Sequence, residues 1–246
     1  MIVKSDCEGN KLKTLFLIPA RGGSKGIPHK NIKHLCGKPL IHYSIEVARQ
    51  LAPDKDICVS TDDLEIKKVV EETGLNVPFL RPSEYATDRS GTNEVIVHAL
   101  SFYQECGIHY DRTVLLQPTS PLRTAEQVAE AITLYDNEFD MVVSVKKSDS
   151  SVLLFRETEE GFLEHVFDIQ DGIRRQDALS LYEYNGAIYV INNKALKEKG
   201  INGFTRITKY VMAEELSLDI DTQSDWDYCE FMMSKKECNN TFIKGE

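Results

Sequence analysis

Apolar runs of strand length alternate with segments whose apolar residues recur every three or four positions, and the alternation holds through about residue 145. "TLFLIPA" is a short apolar run closed by proline and glycines, the profile of a buried strand that ends in a loop. "PLIHYSIEVARQL" then spaces Leu40, Ile41, Ser44, Ile45, Ala48 and Leu51 along one helix face. "DICVSTDD" reads as a second strand, and "DDLEIKKVVEETG" as a helix with Ile66, Val69 and Val70 inward and Gly74 as its stop. The pattern continues through "NVPFL" (strand), "TNEVIVHALSFYQECG" (helix), "RTVLLQP" (strand), a helix whose Thr124 and Gln127 have capping-box spacing, and "DMVVSV". Such alternation predicts an α/β fold: a largely parallel, doubly wound sheet with helices on both faces and ligands outside the carboxyl ends of the strands.

After "DMVVSV" the rhythm breaks. Residues from about 147 to 182 show short alternating stretches with turn residues, which reads as hairpin or extended-arm material. The strands "GAIYVI" and "KYVMA" and a helix from about Thr222 through "WDYCEFMMS" follow. With no internal repeat or Pro/Ser linker, the expected organisation is one domain over 14–246 carrying an inserted arm, with residues 1–13 as an extension outside the fold.

Composition narrows the function classes. The 39 acidic residues outnumber the 29 basic ones, and a net charge of -10 repels polyanions, which argues against broad nucleic-acid or acidic-membrane binding. No apolar run approaches the roughly 20 residues of a membrane helix, and no signal-peptide core opens the chain. The six cysteines form no C-x-x-C pair, so neither a zinc ribbon nor a redox dithiol is indicated, and a reducing cytoplasm is the expected location.

Against that acidic background, "LIPARGGSKGIPHKN" gathers Arg21, Lys25 and Lys30 around glycines directly after the first strand. Backbone N–H groups of such a loop converge on phosphate oxygens because no Cβ keeps the anion away, and three cations surround several phosphates better than one. The glycine spacing is neither Walker A nor the dinucleotide fingerprint. By composition alone it also fits an ordinary solvated loop; its place at a strand end favours the anion site. Late in the chain, "DID" sets Asp219 and Asp221 two apart, on one face of an extended segment. Like charges held together favour a cation, and Mg²⁺ with phosphate oxygens suits the pair, while "DTQSD" also reads as a helix start that Asp221 would cap.

"IPARGGSKGIPHKNIKHLCGKPLI" closely resembles the opening of the acylneuraminate cytidylyltransferases, the CMP-sialic acid synthetases. "VSTDD", "LQPTSPLR", "RRQDALSLYEYNGAIYV" and "SLDIDTQSD" agree in the same order, over about residues 15 to 230. The resemblance implies a three-layer α/β/α sandwich of the nucleotide-diphospho-sugar transferase type, Rossmann-like, with an extended dimerisation arm. It also implies a homodimer, use of Mg²⁺, and conversion of CTP and a nonulosonic acid to a CMP-sugar and pyrophosphate by in-line attack of the anomeric hydroxyl on the α-phosphate. The irregular 147–182 stretch falls where that arm belongs, although an insertion within one subunit would read the same.

Carried over residue by residue, the resemblance assigns the triphosphate to Arg21, Gly22, Gly23, Ser24 and Lys25, with Lys30 and Asn31 close to the nucleotide. Arg81 corresponds to the arginine beside cytosine and Ser90 to a small polar residue near base and ribose. Gln117, Asn185 and Tyr189 fall on the sugar side, with Arg175 as the arm arginine acting near the active site. Asp219 and Asp221 hold the metal. Arg21, Lys25, Arg175 and Asp221 are the catalytic candidates, one aspartate also being a candidate proton acceptor. Plainer readings stand beside these: a salt bridge for Arg81 or Arg175, a strand-end cap for Gln117, a core position for Tyr189, and for Arg123 either a sugar contact or a helix start. "ALSLYEY", with Glu183, departs from many bacterial members and looks more like animal ones, and the appended phosphatase-like domain of longer members is not expected. Another 2-keto-3-deoxy acid (legionaminate, pseudaminate, octulosonate) as substrate, or a non-catalytic CTP-binding protein of the same fold, is the alternative function. Every version requires the glycine loop and the aspartate couplet to converge on one nucleotide.

Overall fold

In the computed structural model, residues 12–82, 85, 91–148, 155–159, 161–165 and 181–243 are described. In chain order they form β1 (Thr14–Pro19), two short strands β2 (His34–Leu35) and β3 (Lys38–Pro39), α1 (Leu40–Arg49), β4 (Ile57–Ser60), α2 (Leu64–Glu71) and α3 (Thr92–Glu105). Then come β5 (Arg112–Leu116), α4 (Ala125–Leu134), β6 (Met141–Ser148), β7 (Phe155–Glu157), β8 (Leu163–His165), β9 (Leu181–Asn192), α5 (Asn193–Lys199), β10 (Ile207–Val211) and α6 (Gln223–Ile243). The central sheet has the order β10-β6-β9-β5-β1-β4. All its pairings are parallel except those of β9, which runs antiparallel to both β5 and β6.

Period-2 burial along β1 builds the layers. Phe16 and Ile18 face a core completed by Ile41 and Ile45 of α1, Ile66 and Val70 of α2, and Val128 and Ile132 of α4. Leu15 and Leu17 face the opposite core, with Ile96, Ala99 and Leu100 of α3 and Leu196 of α5. A strand buried on both faces has to be apolar throughout, which is why "LFLI" reads as an unbroken run. The expected doubly wound α/β/α arrangement is therefore present.

Several expectations are corrected. "NVPFL" forms no strand; only Leu80 bridges to Thr61, because Pro78 offers no N–H to a ladder. α5 has no counterpart in the sequence reading, although Asn192 caps it with bonds from Lys194 N (3.0 Å) and Ala195 N (3.2 Å). β9 runs antiparallel to both of its neighbours, where the alternation predicted a largely parallel sheet. At the amino end the fold starts before residue 14: Leu12 packs on the first core, and the Lys13 carbonyl accepts from Asp111 N at 2.9 Å. Within the expected arm, the described residues include the antiparallel β7 and β8, while its two ends pair with each other as the last residues of β6 and the first of β9. The capping box of α4 is present as expected, with Thr124 and Gln127 bonded reciprocally.

Candidate active site

In the sheet β1 lies between β4 and β5, so the chain moves outward from β1 to β4 and then crosses to the other side. At that switch point the loops following β1, β4 and β5 diverge and leave a crevice, the usual ligand position in an open α/β sheet. A cleft of about 520 Å³ occupies it, within the range of small-molecule sites.

The glycine loop supplies Arg21, Ser24, Lys25 and Gly26 to this cleft, and Lys30 and Asn31 follow. Its shape has local causes. Ala20 N donates to Ser60 O at 2.9 Å, so the loop leaves the sheet alongside the end of β4. Buried Asn31 donates from Nδ2 to Arg21 O at 3.0 Å, making it a brace of the loop. Gly22 N donates to Asp62 Oδ1 at 3.2 Å, and a Cβ on Gly22 would fall 2.3 Å from an Asp63 carboxylate oxygen. Gly23 faces open space, which leaves its backbone approachable.

A third apolar cluster brings the far end of the chain to the same place. Ile27 of the loop, Leu40, Leu122, Ile220, and Trp226 and Cys229 of α6 are buried together. Ile220 sits between the two aspartates and is fully buried, so on an extended segment Asp219 and Asp221 both turn to the opposite side. Ile220 N donates to Thr119 O at 2.9 Å, fixing the couplet to the loop after β5. Gly26 passes so close to this segment that an added Cβ would meet Asp221 O at 2.1 Å. Lys30 Nζ completes the joint, donating to Ile220 O at 2.6 Å and pairing with Asp221 Oδ1 at 3.2 Å. The loop and Asp221 therefore line one cleft, and Lys30 reaches Ile220 across 190 positions of chain, with Asp219 beside the lining residue Thr119.

The carboxylates differ in setting. Asp221 lines the cleft with its side chain largely exposed. It does not cap α6: Asp225 Oδ2 accepts from Thr222 N at 2.7 Å and from Asp221 N at 3.1 Å, and Asp225 N donates to Thr222 Oγ1. Asp219 keeps an exposed edge, but its carboxylate leans on Gly186, whose Cβ would lie 2.9 Å away and whose φ is +73°. Loss of water there, added to the charge of Asp221, pushes the Asp219 pKa up against a hydrogen bond from Thr119. The pair thus offers hard oxygen ligands in a place that the protein's own cations do not fully neutralise, which fits a divalent ion. Among the described residues no group of three or more His, Cys, Asp or Glu side chains could hold a metal alone, so further ligand oxygens would have to come from the substrate or solvent.

Arg81 is buried at 5% exposure beside this loop, its Nη2 3.4 Å from Asp62 Oδ1. Burial lowers its pKa while Asp62 holds it up, so the surface-salt-bridge reading gives way to a guanidinium recessed in the cleft. Gln117 also lines the cleft; its carbonyl accepts from Arg123 Nη1 at 3.1 Å. Arg123 itself is buried, bonding Ala187 O (2.7 Å) and Ser44 Oγ (2.6 Å), and burial drives its pKa down to about 9. It braces the floor beneath Gln117.

Asn185 does not line the cleft. Its Oδ1 accepts from Ser144 Oγ at 2.6 Å and its Nδ2 donates to Ser217 Oγ at 2.9 Å, so the amide is used inside the protein. That network spans the irregularity where β6 and β9 shift register, and it sets the turn at Gly186 on which Asp219 rests. Tyr189 is half-buried against the second core and close enough to Asp219 for that charge, after burial, to raise its pKa to about 12. Ser90 and Arg175 lie outside the described residues. Asp62, Gly26 and Gly186 were missed by sequence reasoning; the signal for Asp62 was its position directly after a strand whose carboxyl end faces the cleft.

A family model described as cytidylyltransferase matches residues 15–246. The chain belongs to the cytidylyltransferase family. Among curated relatives, the N-acylneuraminate cytidylyltransferase of Streptococcus agalactiae serotype V is 38% identical over 95% of this chain, which spans just over half, 57%, of that relative's length. The CMP-N,N'-diacetyllegionaminic acid synthase of Legionella pneumophila is 34% identical over 90% of this chain and 97% of its own. Among solved structures, CMP:2-keto-3-deoxy-manno-octonic acid synthetase, complexed with CTP, superposes with a TM-score of 0.67 over 91% of this chain and 99% of that one at 16% identity, a likeness of fold.

Proposed function

We propose that this cytidylyltransferase family member transfers CMP from CTP to the anomeric hydroxyl of a nonulosonic acid, N-acetylneuraminate or a close relative, and releases pyrophosphate. The convergence on one cleft of the cationic glycine loop and Asp221, with Asp219 two residues before it, carries this reading. A site that only bound nucleotide would need fewer placed groups. The relatives' named activities support the same class of product.

Gly22, Gly23 and Ser24 present backbone and hydroxyl donors to the triphosphate, while Arg21 and Lys25 stabilise charge gathering on the α-phosphate and on the departing pyrophosphate. Arg81 faces the cytosine, with Ser90 beside it, and the small pocket excludes purines by size. Gln117 turns toward the sugar acid, and Arg175 of the arm meets a carboxylate or phosphate in bidentate fashion. Asp219 and Asp221 would hold Mg²⁺, which when bound supplies charge neutralisation and Lewis acidity at phosphate oxygens. Asp221, exposed in the cleft, is also placed to take the proton of the attacking hydroxyl. Asn185, in this reading, shapes the sugar side only through Gly186.

The protein works as a homodimer in which residues of about 147–182 reach the neighbouring subunit, and it resides in the cytoplasm. No helix of the described residues is long and apolar enough to cross a membrane. Pyrophosphate release measured with CTP and Mg²⁺ over a panel of N-acetylneuraminate, legionaminate, pseudaminate and octulosonate tests the proposal. Turnover with one of the nine-carbon acids is expected; CTP binding without pyrophosphate release from any of them would refute it.

A further inference from the structure

Two adjacent aspartates follow β4, and their side chains serve different partners. Asp63 caps α2, its Oδ1 accepting from Glu65 N at 2.7 Å and Ile66 N at 3.2 Å. Asp62 stays off the helix. A single oxygen of its carboxylate, Oδ1, accepts from Gly22 N at 3.2 Å and lies 3.4 Å from Arg81 Nη2. It therefore joins the phosphate loop after β1 to the arginine that lines the cleft one bridge beyond Leu80.

Arg81 has little freedom to find another arrangement. Its backbone N–H is bonded to Thr61 O at 2.7 Å, its side chain is 3% exposed, and its Nε meets no hydrogen-bond partner among the described residues. Arg21 repels it from nearby, so two cations crowd this end of the cleft before any anion arrives. A carboxylate there offsets that repulsion, and one that also holds Gly22 makes the position of the guanidinium depend on the position of the loop.

Resting on the cytidylyl-transfer reading above, we propose that Asp62 is a positioning residue that ties the triphosphate loop to the base-facing arginine, so that the two ends of CTP are held as one unit. Cytosine presents an unprotonated N3 next to O2, two adjacent acceptors for a guanidinium, whereas uracil carries a hydrogen on N3. A displaced Arg81 loses this distinction. Asp62 touches neither the reacting phosphorus nor the leaving group.

Asp62→Ala is expected to raise KM for CTP about tenfold while changing kcat less than about threefold, and to lower the CTP-over-UTP preference about tenfold. Hydrogen exchange of the nucleotide-free protein supplies an arm independent of turnover: amides of residues 20–26 should exchange faster in the variant. As a contrast, Asp63→Ala removes a helix cap and lowers Tm by roughly 2–4 °C, yet leaves the CTP-over-UTP ratio intact. Should Asp62→Ala fail to fold, Asp62→Asn, which keeps the shape and removes the charge, carries the test with an expected fall in that ratio of at least about threefold. Unchanged exchange at 20–26 or an unchanged ratio overturns the tie even in an active enzyme. Wild-type protein that releases no pyrophosphate from CTP instead refutes the functional reading and the nucleotide role of Asp62 with it.

Discussion

Arg21 and Lys25 line the cleft of a protein that is acidic overall, and in the proposed function their charge meets the triphosphate. Arg21→Ala is expected to lower kcat about a hundredfold with a Tm near wild type, since removal of one charge-stabilising group acts on the transition state. Steady-state kinetics beside a thermal melt check this; near-normal kcat in a folded variant excludes Arg21 from the chemistry. Glycines give a sharper contrast. At Gly26 an added Cβ would overlap the Asp221 carbonyl oxygen at 2.1 Å, while at Gly23 it would meet nothing within 4 Å. Gly26→Ala should destabilise the fold by about 1–3 kcal/mol and weaken CTP binding, and Gly23→Ala should leave the denaturation midpoint unmoved. Equal stability of the two variants in urea would contradict the packing described. Sequence showed a glycine-rich loop; which glycine faces open space and which faces protein depends on Asp221, far along the chain.

Elements whose sequence repeats a period were legible, and those fixed by side-chain bonds were not. β1, α1, β4, α2, α3, β5 and α4 follow from apolar spacing and caps. The register shift at Ser144 and the entry to β10 involve polar groups that find one another only after folding. Asp140 shows the point: its carboxylate accepts from Thr205 N (2.8 Å), Arg206 N (3.0 Å) and Lys199 Nζ (2.7 Å), joining the start of β6 to the end of α5 and the approach to β10. The Lys199 bond, then the two backbone bonds, hold its pKa down to about 2, below the ordinary 3.8. A depressed carboxylate pKa means that the stabilisation is complete above about pH 4 and is lost as pH falls toward 2. Asp140→Asn should therefore cost on the order of 2 kcal/mol at pH 7 and flatten the loss of stability between pH 4 and pH 2. Denaturation curves at several pH values test it; an unchanged acid limb in the variant would assign that loss elsewhere.

Across the whole molecule, the small cluster of Ile27, Leu40, Leu122, Ile220 and Trp226 fastens first and last parts of the domain together and so assembles the cleft. Ile220→Ala should cost about 2–5 kcal/mol, and its effect on CTP affinity should exceed that of Ile220→Val, which costs about 0.5–1.5 kcal/mol. Calorimetric titration with CTP on both variants checks the order; full affinity in the alanine variant would mean that loop and couplet hold together without this core. Sequence alone determined the α/β class, the strand-end position of the phosphate loop, and the resemblance that matches residues to a reaction. Period, glycine placement and charge are local properties, written in neighbouring residues. Only the tertiary structure decided that Asn185 is an internal brace, that Asp62 joins two loops, and that Asp221 lines the cleft while Asp219 rests on Gly186. Those outcomes depend on contacts between residues far apart in the chain, whose distances are set by packing and carry no periodic trace in the sequence.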